Sequence, residues 1–82
     1  MRLDKYLKVS RLIKRRTVAN QACDGGRINV NGKPAKASYD VKIGDKISIE
    51  IGEHATVAEV VCVIENARKE QAQEMFRILE ER

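Results

Sequence analysis

Cations dominate the residues of this 82-residue chain that could do chemistry. Arg2, Lys5, Lys8 and Arg11 recur every third position, and Lys14, Arg15 and Arg16 follow as a cluster just before Thr17. Lys5, Lys8 and Arg11 fall on successive turns of a helix, so their side chains stand roughly 5 Å apart along one side of it. Phosphate recognition asks for such a row, because several cations must meet charges strung along a backbone. The cluster at Lys14-Arg15-Arg16 extends the row, and a helix opening at Thr17 would add backbone N–H groups and a positive dipole end beside it.

Nucleophilic and acid–base chemistry has little to work with. Ser10, Ser38 and Ser48 lack a histidine arrangement, and the one histidine, His54, falls in an expected turn without an acidic or metal partner at ligand spacing. Asp4 is read as a helix cap in preference to a general base, since it precedes an apolar helical stripe. Cys23 and Cys62 have no companions at zinc spacing and read as small thiols kept reduced in a cytosol. These readings point to a protein that is not an enzyme and carries neither metal nor cofactor.

Length and charge bound the rest. Residues 1–46 hold 12 Lys and Arg against 4 Asp and Glu, and residues 47–82 hold 4 against 8, so the halves carry +8 and −4. Clustering of this kind marks an anion-binding face opposed by a solvated one. A chain this short buries only roughly 60% of its unfolded surface and builds one small domain, residues 1–82. No secretory segment and no run of the ~20 apolar residues needed to span a bilayer is seen, so a soluble, cytoplasmic protein is expected.

The elements that must position the cations follow from periodicity. Leu3, Tyr6, Leu7, Ser10 and Ile13 share one helical face, with Asp4 as cap and an end near residues 10–12. Thr17 is expected to cap a second short helix with Val18, Ala19, Ala22 and Cys23 on its apolar stripe and Gly25-Gly26 as its stop. Arg27 to Val30 alternates polar and apolar, Asn31-Gly32 is a hairpin turn, and Lys33 to Ala37 returns with Pro34 on an edge. Ile47, Ile49 and Ile51 alternate as a strand that should pair with Thr56 to Ile64 across a turn at Gly52-Glu53-His54. Beyond Ala67, the residues Ala72, Met75, Phe76 and Leu79 return to a 3.6 period and predict a carboxy-terminal helix. Tyr6 and Phe76 lie on apolar faces, so base stacking on aromatic platforms is disfavoured and recognition should rest on phosphates, 2′-hydroxyls and RNA shape.

Four blocks, Arg2-Leu3-Asp4-Lys5-Tyr6-Leu7, Lys14-Arg15-Arg16-Thr17, Gly26-Arg27-Ile28-Asn29-Val30-Asn31-Gly32 and Val41-Lys42-Ile43-Gly44-Asp45-Lys46-Ile47, resemble the S4 RNA-binding domain family in order and spacing over residues 1–51. The resemblance implies an α+β fold, two short helices packed on a small antiparallel sheet, to which periodicity adds the carboxy-terminal helix. It assigns Arg2, Lys5, Lys8, Arg11, Lys14, Arg15, Arg16 and Arg27 to RNA, with Thr17 ordering the second helix. Gly25 departs from the polar residue common at that place in the family.

Within the family, the short length, the wording of residues 2–17 and the acidic end Glu80-Glu81-Arg82 look most like the members that serve ribosome-associated quality control. That likeness implies a monomer on the large ribosomal subunit, contacting its rRNA and the peptidyl-tRNA of a stalled nascent chain. An RqcH-like factor on the same subunit would bring alanyl-tRNA for alanine tailing. Alternatives are a heat-shock-type S4 protein recycling obstructed large subunits, an RNA-targeting module for a separate RNA-modifying enzyme, and a module whose basic helix docks on an acidic protein.

Overall fold

The computed structural model describes residues 1–81. Its first helix, α1 (Leu3–Val9), forms where the apolar spacing placed it, with Leu3, Tyr6 and Leu7 fully buried and Ser10 and Ile13 buried just after it. Asp4 is not its cap. Arg2 occupies the cap position without a side-chain bond, and the first two helical N–H groups are satisfied from elsewhere in the chain. Leu3 N–H donates to the Tyr39 carbonyl at 2.8 Å and Asp4 N–H to the Ala37 carbonyl at 3.2 Å. A turn at residues 36–39 thus does the work of a capping side chain, and Asp4 is released to a site inside the first turn.

The second helix, α2 (Arg16–Asp24), starts one residue before Thr17, so Thr17 lies within the first turn and does not cap it. Arg15, extended at φ −125°, holds the cap position instead. Ala19, Ala22 and Cys23 are buried, and their small size lets α2 approach α1 closely. Gly25 ends the helix, with its N–H donating to the Gln21 carbonyl at 2.8 Å, and Gly26 then turns the chain at φ +79°.

Five strands form one antiparallel sheet in the order β2-β1-β3-β4-β5: β1 (Ile28–Val30), β2 (Lys33–Pro34), β3 (Lys46–Ile51), β4 (His54–Val60) and β5 (Phe76–Glu81). The β1–β2 hairpin turns at Asn31-Gly32, both at positive φ, as an Asn-Gly pair between strands should. Its return strand is shorter than expected, two residues with Pro34 on the sheet edge, because Ala35 and Ala37 turn inward and are buried. Asn31 also ties the hairpin to β3: its Nδ2 donates to Asp45 at 3.0 Å, and its Oδ1 accepts Lys46 N–H at 3.0 Å.

Ile28, Val30, Ile47, Ile49 and Val60 put their apolar side under the two helices. The carboxy-terminal helix expected from Ala67 onward is a single turn, α3 (Lys69–Ala72), and the chain then runs as β5 beside β4. Met75, at the junction, is fully buried, and its carbonyl accepts the Tyr6 hydroxyl at 2.7 Å together with the N–H groups of Val61 and Cys62. Burial lifts the Tyr6 hydroxyl far above its ordinary pKa, so Tyr6 is a permanent donor holding α1 to the last strand. Cys23 is buried and its thiol pushed up to about 11, by burial first and then by Asp4 and Asp24.

Candidate nucleic-acid interface

Asp4 organises the cationic surface from below. Its carboxylate is almost wholly buried between α1 and α2, where it accepts four hydrogen bonds and pairs with Arg16 besides. Arg2 grips it in a fork, Nε to Oδ1 at 3.1 Å and Nη2 to Oδ2 at 3.3 Å. Asn20 Nδ2 donates to Oδ2 at 3.2 Å, Lys5 N–H donates to Oδ1 at 2.8 Å, and Arg16 Nε stands at 3.5 Å from Oδ2. Burial alone would raise the Asp4 pKa, but Arg2, Asn20, the Lys5 N–H and Arg16 outweigh it and hold the group below its usual value.

Two guanidiniums from different elements are therefore fixed on one anion, while about half of each side chain stays open to solvent. One carboxylate cannot neutralise two arginines, so the cluster keeps a net positive charge with restricted geometry. Arg16, Thr17, Asn20 and Gln21 line a shallow depression over Asp4, which brings Arg16 and Thr17 together with Arg2 at its margin.

The remaining expected residues divide into separate groups. Lys5, Lys8 and Arg11 do share one groove, but Arg11 reaches it from outside the helix. The helix ends at Val9, and Arg11 adopts a left-handed backbone at φ +66°, so its side chain does not stand one helical turn beyond Lys8. The groove's other wall is the segment at Glu65, Asn66 and Ala67, and the Glu65 carboxylate accepts a charged hydrogen bond from Lys5 Nζ. Lys14 and Arg15 are exposed on the connection between the helices. Arg27 stands apart, in a depression past the carboxyl end of α2 with Gly25 and Ile51. Arg27 N–H donates to the Ala22 carbonyl at 2.9 Å, which fixes it at the opposite end of α2 from Arg16.

Sequence reasoning missed Asp4 as the hub and missed Asn20 and Glu65 altogether. Asn20 lies one helical turn after Arg16, the spacing that puts both on one side of α2, and that was the available signal. Glu65 carried none, since its pairing with Lys5 spans 60 residues.

Comparison with known proteins places this architecture. The family model for the S4 domain matches residues 1–47. The chain is 57% identical over 81 residues to the RQC P-site tRNA stabilizing factor of Listeria innocua, covering 99% of this chain and 88% of that protein. It is 51% identical to the Bacillus subtilis protein of the same description, covering 99% and 94%. Among solved structures, the trimeric structure of Vibrio cholerae heat shock protein 15 superposes with a TM-score of 0.87 at 30% identity, covering 95% of this chain and 80% of that one. The solution structure of HP1423 gives 0.82 at 30% identity, covering 98% of each. With its two helices over an antiparallel sheet and its matched first 47 residues, this chain belongs to the S4 domain family.

Proposed function

We propose that this chain is a non-enzymatic RNA-binding factor of the large ribosomal subunit that contacts rRNA and steadies peptidyl-tRNA in the P site during ribosome-associated quality control. In this reading it resides on ribosomes in the cytoplasm as a monomer, beside an RqcH-like factor that directs alanine tailing of the stalled chain. The observation that carries it is the Arg2–Asp4–Arg16 cluster. Two half-exposed guanidiniums, each tethered to Asp4 through part of its N–H set, keep further donors for phosphate, and their ordering is complete before RNA arrives. Near full-length identity to proteins described as P-site tRNA stabilizing factors supplies the setting. Lys8, Arg11, Lys14 and Arg15 then add exposed charge around the fixed pair.

The test is co-sedimentation with purified large subunits carrying peptidyl-tRNA. Arg16→Ala and Arg2→Ala are each expected to weaken binding by about tenfold, the worth of a lost charged hydrogen bond. Unchanged binding of both variants at physiological salt would refute the reading.

A second reading, recycling of obstructed large subunits, draws on the likeness to heat shock protein 15, at 30% identity over 68 residues for the Escherichia coli protein. The higher identity and coverage of the stabilizing factors favours the first. Binding to subunits with and without P-site peptidyl-tRNA separates the two, because only the first requires the tRNA to strengthen the complex.

A further inference from the structure

The groove between α1 and the 65–67 segment holds three cations on one wall and a single carboxylate on the other. Lys8 and Arg11 are exposed there, while Lys5 is occupied by Glu65. Arg11 takes the left-handed backbone at φ +66°, a conformation unfavourable for a non-glycine residue and concentrated at functional positions. The backbone bond from Arg11 N–H to the Lys8 carbonyl at 3.1 Å fixes the bend that sends the arginine back toward Lys8. Glu65 itself is largely exposed and held below its usual pKa chiefly by the hydrogen bond from Lys5 and then by that lysine's charge.

We infer that this groove is a second backbone-phosphate niche for RNA, formed by Lys5, Lys8 and Arg11, in which the Glu65 carboxylate is the resident anion that an incoming phosphodiester must displace. The inference rests on the RNA-binding reading above and gives it a mechanism for selectivity. A weak, isolated phosphate contact does not compensate for loss of the Lys5–Glu65 pair. An RNA that also engages the Arg2–Arg16 cluster delivers another of its phosphates at high local concentration and takes Lys5 over. Segment 65–67, which sequence reasoning left out of the site, thereby sets the threshold for a correct fit.

Two measurements on the full chain test this. In the first, inorganic phosphate is titrated at low salt and backbone amide shifts are followed by NMR. Saturable shifts are expected at Lys8, Arg11 and Asn66, with phosphate affinity raised about two- to fivefold in Glu65→Gln, the range of an exposed ion pair, and lost in Arg11→Gly. Glycine accepts the positive φ, so Arg11→Gly removes the cation without straining the fold. Glu53→Gln, in the β3–β4 turn, makes the same charge change and should leave phosphate affinity unaltered.

In the second, the variants are compared on large subunits carrying peptidyl-tRNA, where Glu65→Gln should bind more tightly and Arg11→Gly more weakly than the unaltered chain. Equal gains from Glu65→Gln and Glu53→Gln, or a loss of affinity in Glu65→Gln, would overturn the niche. Phosphate shifts that follow this pattern while the unaltered chain ignores the subunits would uphold the niche and instead overturn the ribosomal assignment.

Discussion

Two carboxylates meet cations on this surface, and their surroundings give them opposite roles. Glu65 is exposed and holds one lysine, so removing its charge frees a cation. Asp4 is buried and shared, so removing its charge frees two arginines from their geometry. Simple Coulomb reasoning predicts that Asp4→Asn, which makes the protein more positive, tightens RNA binding. The shared fork predicts the reverse, a weakening of about three- to tenfold, because ordered charged hydrogen bonds are lost. Affinity for large subunits, measured alongside the thermal midpoint to confirm a folded variant, decides between the signs.

Asp4 also ties stability to pH. Its folded-state pKa lies below the ordinary value of 3.8, so the chain gains stability from it above that value and loses the gain as pH falls through the depressed one. Asp45 behaves likewise. Burial would raise it, but the Lys42 N–H, the Tyr39 hydroxyl and Asn31 together hold it low. Denaturation midpoints should therefore hold steady down to about pH 4 and then drop. In Asp45→Asn the midpoint at pH 7 should be lower and the acid-side drop shallower.

Elements were legible wherever local pattern and tertiary demand agreed. The α1 stripe, the Asn31-Gly32 hairpin and the Ile47/Ile49 alternation each obey a rule that neighbouring residues enforce, and each forms. The carboxy-terminal stretch broke the agreement. Ala72, Met75 and Phe76 fit a helical period and do turn inward, yet only residues 69–72 make a helical turn. The β4 edge offers a row of backbone donors and acceptors that Phe76–Glu81 satisfies, and a pairing partner far away in sequence outweighs a weak local period.

Thr17 illustrates a finer miss, since its chemistry suits a cap but the exposed Lys14-Arg15 connection already brings the chain in extended at Arg15. The candidate interface was half legible: its cations could be read off the chain, but the carboxylates that sort them into fixed and contested sets could not. The bond from Tyr6 to Met75 joins the first helix to the last strand, so Tyr6→Phe should cost about 1 kcal/mol, read from chemical denaturation. A larger loss would mean that the hydroxyl supports more than the Met75 carbonyl, which keeps two N–H donors.

Across the whole molecule, the two halves of opposite charge meet in one sheet without mixing: β2 and β1 of the basic half form one edge, β4 and β5 of the acidic half the other, and β3 joins them. The polarity of the sequence thus becomes a polarity across the sheet, with the basic helices packed on one of its faces. Such an arrangement orients the protein as it nears a polyanion and makes the encounter sensitive to salt. For subunit binding, each phosphate contact contributes about −0.7 to −0.9 to the slope of log affinity against log salt. Arg15→Ala should flatten that slope by about one such step, while Lys33→Ala, at the far sheet edge on β2, should leave it as it was.

The Asn31-Gly32 turn has a bearing on how the molecule ages. Asparagine followed by glycine is the pair most prone to shed ammonia through a cyclic imide, since no side chain shields the next amide nitrogen. Here the carboxamide is engaged at both ends, by Asp45 and by Lys46 N–H, which restrains the rotation that cyclisation needs. Conversion to an acid would bring a second negative oxygen against Asp45 where a donor now sits. Old copies would then be marked by a hairpin that repels the loop it was built to hold.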